Sequence, residues 1–418
     1  MNIGVFLASL KPTAAAEQRF QGAIFDALRR HCPTHFRFHV LTFEPPDAPP
    51  VSDNIAYVKI ATREGRWART ASLWKRLVGR YLLALINLSG GNAGRLHAAV
   101  LGWMAPEPLY FQQIRDLNLR IIWNLSQQVL HSPVPFIRII WDVNHRIHSM
   151  YPEFSYARYG FDGCEADFPA SLARASYVLV GTEEGKHQLV TMYQVHASKI
   201  RVIPFPTPAL PERIPVQQAD TRSVRGMSYI FYPARFWPHK NHVVILHALK
   251  ILADRWGIRL RCVFSGVDEG NLAYVLRVAR ELDVHGQVEY LGSVSEAELA
   301  TLYRRAFALV YASAVGPDNL PPLEAMALGC PVITADVPGA REQYSDAALF
   351  FAPTNEEQLA LRLKDLFDNS ALRQNLIDRG ARRAASWTSE DYVKSVMGIL
   401  EEFALTARAW ERCDSKFT

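Results

Sequence analysis

The sequence has few cysteines and no long hydrophobic run. Five cysteines in 418 residues lie far apart, and no two of them stand in a Cys-x-x-Cys spacing. This pattern excludes a disulfide scaffold and a zinc framework, and it predicts reduced thiols in a cytoplasmic protein. No run of about 18 apolar residues occurs, so no membrane-spanning helix is expected. The start, MNIGVFLASLKP, lacks a basic segment ahead of a long apolar run and predicts a first strand instead of a signal peptide.

The excess of positive over negative charge is also small. The chain has 46 Lys and Arg residues against 41 Asp and Glu residues, which gives a formal charge of +5. Nucleic-acid-binding proteins concentrate basic residues far more strongly, so no nucleic-acid partner is expected. Hydrophobic residues make up 49% of the chain, which is typical of globular proteins, and the length favours two domains.

Short apolar runs alternate with amphipathic segments along most of the chain. Strands are predicted in NIGVFLA, FRFHVLTF, RIIWNLS, FIRIIWDV and SYVLVG, and helices in QRFQGAIFDALRRH and LAYVLRVARELDV. This order predicts an α/β fold with parallel sheets covered by helices on both faces. In such sheets, ligands bind at the carboxyl ends of the strands.

A proline-rich segment separates two such alternations. The stretch PFPTPALPERIPVQQADTRSVRG (204–226) has five prolines in its first dozen residues, which predicts an inter-domain linker. We therefore expect a doubly wound domain at 1–205, a linker at 206–226 and a second doubly wound domain at 227–389, with a cleft between the domains. A last helix, at about 390–418, is expected to pack on the first domain.

Two cations follow the first predicted strand of the second domain. In YPARFWPHKNH (232–242), Arg235 and Lys240 lie between this strand and the predicted helix HVVILHALKILADRW. A guanidinium and an ammonium that converge at a cleft suit a diphosphate. Basic pairs are also common on solvated loops, so this loop alone leaves both interpretations open.

The stretch GPDNLPPLEAMALGCPVI (316–333) predicts a short helix after the strand ALVYAS. Pro321 or Pro322 suits the first helical position, and Gly329 suits the end. The helix start near Leu320 would face the same cleft, where its free N–H groups attract anions. Its single carboxylate, Glu324, has two open roles, either a cap of its own helix or an acceptor for ribose hydroxyl groups. Only the second role explains why the acid accompanies the two cations.

These residues resemble the retaining GT-B glycosyltransferases of group 1 (family 4-like), which include bacterial mannosyl-, glucosyl- and rhamnosyltransferases. In that group, a loop with Arg and Lys binds the donor diphosphate, as Arg235 and Lys240 would here. The second glutamate of a Glu-x7-Glu motif holds the ribose, as Glu324 would. The resemblance is nearly continuous over 227–390 and rests in the first domain mainly on WDVNHRIHSMYPEFS (141–155).

The resemblance implies two Rossmann-like domains that face each other across a cleft, with the donor bound by the second domain. It implies donor contacts at the helix start, in Asp318, Asn319 and Leu320. The segment 288–313, which contains Gly292, resembles the region around the nucleobase pocket. The segment DVPGAREQYSDAALFFAP (336–353), which contains Glu342, resembles the loop that follows.

Two positions depart from the pattern of the group. Gly316 stands where the group usually has its first glutamate, which contacts the donor sugar, and Asp318 is a candidate replacement. Trp141 and Asp142 stand where the group often has His-Asp. Asp142 and the nearby His145 are therefore candidates for a sugar or acceptor contact, although a lone loop histidine is more often structural or solvated.

The mechanism implied by the resemblance is transfer from a GDP-, UDP- or dTDP-sugar with retained anomeric configuration. The acceptor would be a glycan or a lipid-linked saccharide in the assembly of a cell-surface polysaccharide or glycolipid. No Asp-x-Asp triplet occurs, which agrees with transfer that needs neither a metal nor another cofactor. The leaving phosphate can take the proton of the acceptor, so a strong general base is not required.

The segment TREGRWARTASLWKRLVGRYLLALINL (62–88) carries six basic residues against one acid, with two tryptophans interleaved. This pattern is typical of a helix on an anionic membrane surface, which would place the protein at the inner face of the cytoplasmic membrane. A basic amphipathic helix packed on the first domain explains the same pattern.

Two further hypotheses compete with transfer, namely a non-catalytic binding protein and a GT-B epimerase or phosphorylase. Gly316 and Trp141 suggest a non-catalytic nucleotide-sugar-binding protein, in which the donor would not turn over. A GT-B epimerase would work without an acceptor, and a phosphorylase would need a cofactor lysine site for which the sequence has no motif.

Overall fold

The structure is a computed structural model that describes residues 1–7, 16–45, 54–60, 78, 81–82, 108, 110–126, 128–155, 160–207 and 228–409. Most of the predicted membrane-facing segment 62–88 and of the predicted linker 206–226 lies outside these residues. The chain divides into two compact units. One unit comprises Met1–Lys11 and Pro33–Phe136, and the other comprises Pro12–Cys32 and Ile137–Thr418. The domain boundaries expected from the sequence stay a prediction.

Strands and helices alternate through most of the described chain. The strands are β1 (Asn2–Phe6), β2 (Arg37–Thr42), β3 (Ile55–Lys59), β4 (Ile121–Asn124), β5 (Phe136–Ile139), β6 (Tyr177–Val180), β7 (Ile200–Val202), β8 (Tyr229–Pro233), β9 (Arg261–Ser265), β10 (Val288–Tyr290), β11 (Ala308–Tyr311), β12 (Val332–Ala335) and β13 (Ala348–Phe351). The helices are α1 (Ala16–Arg30), α2 (Tyr110–Asp116), α3 (Asn144–Ile147), α4 (Pro152–Ser155), α5 (Phe161–Arg174), α6 (Glu183–Tyr193), α7 (His242–Trp256), α8 (Leu272–Glu281), α9 (Glu296–Arg305), α10 (Pro321–Ala327), α11 (Ala340–Tyr344), α12 (Glu356–Asp368), α13 (Ser370–Ala385) and α14 (Ser389–Ala407). Short 3-10 helices occupy Ala197–Lys199, Pro238–Lys240, His285–Gln287 and Ser345–Ala347.

Within the described residues, the first unit contains four strands in the order β3-β2-β1-β4, and their pairings are parallel. Ile3 of β1 lies opposite Phe38 of β2 and Ile121 of β4. Ile3, Val5 and Phe6 of β1 are fully buried, as expected for a strand of a parallel sheet whose two faces are both covered.

The second unit contains β5-β6-β7 and a six-stranded sheet in the order β10-β9-β8-β11-β12-β13. All described pairings are again parallel, and Leu309 of β11 lies opposite Phe231 of β8 and Val332 of β12. The last helix, α14, packs on α1, where the rings of Tyr392 and Phe20 lie 5.5 Å apart. The α/β fold with parallel sheets that the alternation predicts is confirmed. Among the described residues, no helix is long and apolar enough to cross a membrane.

A buried histidine begins the helix that follows β8. His242 is fully buried, and its ring stacks on Phe236 with centroids 4.2 Å apart. Burial, with a smaller contribution from the nearby charge of Lys240, lowers the pKa of His242 to about 3. The ring is therefore neutral at neutral pH and packs as an aromatic residue.

This burial predicts a loss of stability in acid. An unfolded histidine titrates near pH 6.5, so the unfolded chain gains a proton below that pH which folded His242 does not bind. The free energy of unfolding should therefore fall as the pH falls from about 7 to about 5. His242→Phe keeps the ring and removes the titration, so urea unfolding should show a smaller fall in the variant. His285→Gln, at an exposed histidine, should behave as wild type. Equal falls in wild type and His242→Phe would contradict the role of His242.

Candidate functional site

Arg235 and Lys240 lie in the loop between β8 and α7. Arg235 Nη1 donates to Glu269 Oε1 at 2.8 Å, and 58% of the Arg235 side chain is exposed. Lys240 ends the 3-10 helix, and its Nζ lies 3.4 Å from both Tyr311 Oη and Ser313 Oγ. The ammonium of Lys240 therefore lies at the carboxyl ends of two adjacent strands, β8 and β11.

The path of this loop depends on a glycine at the end of β9. Gly266 has a φ of +146°, and a Cβ there would lie 2.2 Å from the carbonyl oxygen of Ala234. The N–H of Gly266 donates to the carbonyl of Gly292 at 2.8 Å. Gly266 therefore contacts both Ala234, which precedes Arg235, and Gly292, which belongs to the predicted nucleobase region. The close approach of Ala234 is possible because position 266 has no side chain.

Tyr311 joins Lys240 to the start of α10. Its hydroxyl accepts from Lys240 Nζ and donates to Asn319 Oδ1 at 2.8 Å. The carbonyl of Asn319 accepts from the hydroxyl of Tyr344 at 2.7 Å, and Leu320 is buried. These contacts hold the residues before α10 against the carboxyl end of β11.

Gly316 stands where the group has its first glutamate. It lies in a turn and has a backbone conformation that other residues rarely adopt. Its φ is +113°, and a Cβ there would lie 3.0 Å from Asn319 Nδ2. The same nitrogen donates to the carbonyl of Gly316 at 3.2 Å. A glutamate in this conformation would strain the turn, so the observed backbone favours glycine at position 316.

The candidate replacement, Asp318, lies against a different segment. A Cβ on Gly181 would lie 2.2 Å from Asp318 Oδ1, so the carboxyl group sits directly on the glycine. Burial, with contributions from Glu342 and Asp142, raises the pKa of Asp318 well above its ordinary value. Asp318 lines a cavity of about 200 Å³ together with Thr182, Arg383 and Trp387.

Glu342, which also lines this cavity, caps the start of α6. Its Oε1 accepts from the N–H of Glu183 at 2.7 Å, and its Oε2 accepts from the N–H of Glu184 at 3.4 Å. The loop that contains Glu342 is therefore tied to the first turn of α6 by a carboxylate.

Glu324 lies in α10 with both carboxylate oxygens occupied. Oε1 accepts from Arg19 Nη2 at 2.6 Å, and Oε2 accepts from the hydroxyl of Tyr303 at 3.0 Å. Only 1% of the Glu324 side chain and 8% of the Arg19 side chain are exposed. In the described part of the chain, the side chain of Glu324 accepts no bond from its own helix, so the acid is held by a buried ion pair.

His145 and Asp142 are engaged within the protein. His145 is buried, and its Nε2 lies 3.2 Å from Glu165 Oε1 and 2.6 Å from the hydroxyl of Tyr193. Burial lowers the pKa of His145, although the hydrogen bond to Glu165 opposes the shift. Asp142 Oδ1 accepts from the N–H of Asn144 at 2.9 Å, at the start of α3.

Trp141, at the position where the group often has histidine, is part of an aromatic cluster. Its ring lies 4.5 Å from that of Phe205 and 5.2 Å from that of Phe20. The side chain at position 141 therefore packs among aromatic rings. The nearest histidine in sequence, His145, belongs to a separate hydrogen-bond network with Glu165.

In the structure, Lys240 is linked to Asn319 through the hydroxyl of Tyr311. Gly292 contacts Gly266, which packs on the residue before Arg235. The structure places Glu324, Asp318 and His145 in three other sets of contacts, so their roles as ligand contacts stay predictions. Sequence reasoning missed several residues that hold these side chains or the loop of Arg235: Arg19, Gly266, Tyr303 and Tyr311. Only Gly266 had a local signal, since a glycine directly after an apolar strand often marks a close backbone approach.

The family model for "Glycosyl transferases group 1" matches residues 215–383. The O-antigen chain mannosyltransferase RfbU of Salmonella typhimurium is 25% identical over 291 residues, which cover 66% of this chain and 77% of that protein.

Two solved structures are similar over nearly the whole chain. WaaG, a glycosyltransferase involved in lipopolysaccharide biosynthesis, has a TM-score of 0.61 at 16% identity and covers 95% of this chain and 99% of its own. Anabaena HepE in complex with UDP and glucose has a TM-score of 0.64 at 14% identity and covers 96% of this chain and 100% of its own. The chain thus has the GT-B fold, and its residues 215–383 are similar to the group 1 glycosyltransferases.

Proposed function

We propose that the protein is a retaining glycosyltransferase that moves a hexosyl or deoxyhexosyl group from a nucleotide sugar to a glycan or lipid-linked acceptor. The observation that carries the proposal is the contact of Lys240 with Asn319 through the hydroxyl of Tyr311. It lies at the carboxyl ends of adjacent parallel strands, where α/β sheets bind ligands.

The names of similar proteins support the substrate classes. RfbU is named for transfer of mannose to the O-antigen chain, and WaaG for lipopolysaccharide biosynthesis, which favours a hexose and a cell-surface polysaccharide. HepE was solved with UDP and glucose, which favours a nucleoside diphosphate as the leaving group.

Lys240 and Arg235 provide positive charge for the leaving diphosphate. The ammonium of Lys240 makes long contacts of 3.4 Å, and the guanidinium of Arg235 is exposed, so both can turn to phosphate oxygens. Cationic side chains beside the leaving phosphate stabilise the charge that develops on it, and no metal is required for this step. The leaving phosphate then takes the proton of the acceptor hydroxyl on the face where the sugar is transferred.

Glu324 is proposed to hold the ribose of the donor. Since the carboxylate is 1% exposed, a ribose can reach it only if Arg19 or Tyr303 moves. A carboxylate has about four acceptor positions. Glu324 can therefore accept hydrogen bonds from ribose hydroxyl groups while it keeps part of its ion pair with Arg19.

A non-catalytic nucleotide-sugar-binding protein is the second candidate. Gly316 stands in place of a glutamate that contacts the donor sugar in the group, and Trp141 stands in place of a histidine that usually lies beside the transferred sugar. Turnover of the donor separates the two functions, because only a transferase releases the nucleoside diphosphate.

The first prediction from the proposed function concerns the diphosphate. Arg235→Ala and Lys240→Ala should each weaken binding of a nucleoside diphosphate by about 1.5–3 kcal/mol, the range for hydrogen bonds to charged groups. UDP, GDP, dTDP and ADP are screened by thermal shift and calorimetry in excess EDTA. A nucleotide at about a hundred times its Kd should stabilise the wild type by about 2.7 kcal/mol.

Two matched variants serve as controls for this prediction. Arg255→Ala removes an exposed arginine that pairs with Glu357, and Lys250→Ala removes an exposed lysine that pairs with Asp254. Both should bind as wild type. Unchanged affinity in Arg235→Ala and Lys240→Ala would contradict the diphosphate site, and binding that disappears in EDTA would contradict metal independence.

The second prediction concerns Glu324. Wild type should bind the nucleoside diphosphate more tightly than its 2′,3′-dideoxy analogue, and Glu324→Gln should bind the two about equally. Stability cannot decide the role, since breaking a buried pair costs about 3–5 kcal/mol in any case. Arg19→Gln breaks the same pair but keeps the carboxylate, so it should retain the preference for the parent nucleotide. Equal binding of parent and analogue to wild type would exclude the ribose role.

The third prediction concerns location at the inner face of the membrane, which rests on the sequence of 62–88 alone. Changing Arg66, Arg69 and Arg76 together to Glu should abolish cosedimentation with anionic vesicles at low salt. Neutral vesicles serve as the control. Wild-type protein that stays in the supernatant with anionic vesicles would rule out this surface.

A further inference from the structure

A buried carboxylate lies beside the 3-10 helix that carries Lys240. Glu153 belongs to α4 and is 8% exposed. Its Oε1 accepts from the backbone N–H of His239 at 2.9 Å and also from Nδ1 of the His239 ring. One oxygen therefore holds both the backbone and the side chain of the residue directly before Lys240.

The charge states of Glu153 and His239 determine which ring nitrogen of His239 carries the proton. Burial alone would raise the pKa of Glu153, but the hydrogen bonds from the ring and backbone of His239 lower it, so the carboxylate is ionised at neutral pH. Burial, followed by the charge of Lys240, lowers the pKa of His239 to about 4, so the ring is neutral. An ionised carboxylate only accepts hydrogen bonds, so the ring proton lies on Nδ1.

Other contacts hold the backbone on its remaining sides. The carbonyl of His239 accepts from the N–H of Ala314 at 2.8 Å, and the carbonyl of Lys240 accepts from the hydroxyl of Tyr232 at 2.7 Å. The ring of His239 packs on Phe154, with centroids 4.9 Å apart. By contrast, the ammonium of Lys240 has hydrogen-bond contacts of 3.4 Å, so its place is set mainly by its own backbone.

We infer that Glu153 is a positioning residue that fixes Pro238–Lys240 through His239 and thereby directs the ammonium of Lys240 to a nucleoside diphosphate. The inference rests on the proposed function of Lys240. Without the carboxylate, the N–H and the ring of His239 lose a buried acceptor, and the backbone must shift to satisfy them. Lys240 is the next residue and shifts with it.

A double-mutant cycle tests this inference. The ligand is whichever of UDP, GDP, dTDP and ADP wild type binds most tightly, measured by calorimetry. Glu153→Ala should weaken binding about tenfold, and Glu153→Gln, which keeps an acceptor oxygen, about threefold. In the Lys240→Ala background, Glu153→Ala should change the affinity less than about twofold, because the two residues act as one unit.

Glu165→Gln is the matched control, since Glu165 also pairs with a histidine, His145, in a different network. It should bind the nucleotide as wild type. If Glu153→Ala does not fold, Glu153→Gln decides the cycle.

Each result has a distinct meaning. A wild type that binds none of the four nucleotides overturns the proposed function and this inference with it. A wild type that binds, with unchanged affinity in both Glu153 variants, overturns the inference alone. Equal weakening in the presence and absence of Lys240, or weakening in Glu165→Gln, indicates a general structural effect and also overturns it.

Discussion

The parallel pairing of β8 with β11 is the constraint on which the candidate site depends. Strands that run in the same direction end at the same edge of a sheet, so the loops after them are neighbours. Lys240 follows β8 and Tyr311 ends β11, and the Tyr311 hydroxyl links the ammonium to Asn319. An antiparallel pair would have placed these side chains at opposite ends of the sheet. The position of the cation thus follows from strand direction before any specific contact is considered.

The elements that form this site could be predicted from the sequence because their signals are local. The segment HVVILHALKILADRW predicts a helix, and α7 spans His242–Trp256. The stretch with Pro321 and Gly329 predicts a short helix, and α10 spans Pro321–Ala327. Apolar runs and helix-terminal residues identify such elements without knowledge of the partners.

The contacts that hold the charged side chains could not be predicted, because their partners are distant in sequence. Arg19 and Glu324 are 305 positions apart, and Glu153 and His239 are 86 apart. The sequence offers a helix cap or a ribose contact for Glu324, and neither includes a cation from α1. A buried carboxylate needs a charged or hydrogen-bonded partner, so the need for one was predictable, but its identity depends on the tertiary fold.

The cap on α6 affects where negative charge can bind. The first turn of a helix has free N–H groups and a positive end of the helix dipole, which makes it a common phosphate site. In this protein Glu342 occupies the N–H groups of Glu183 and Glu184, and those two residues add carboxylates of their own. A phosphate would be repelled at this helix end. The proposed nucleotide-sugar donor would therefore be attracted by side chains such as Lys240, whose charge, unlike a helix dipole, is moved by a small change in the backbone that carries it.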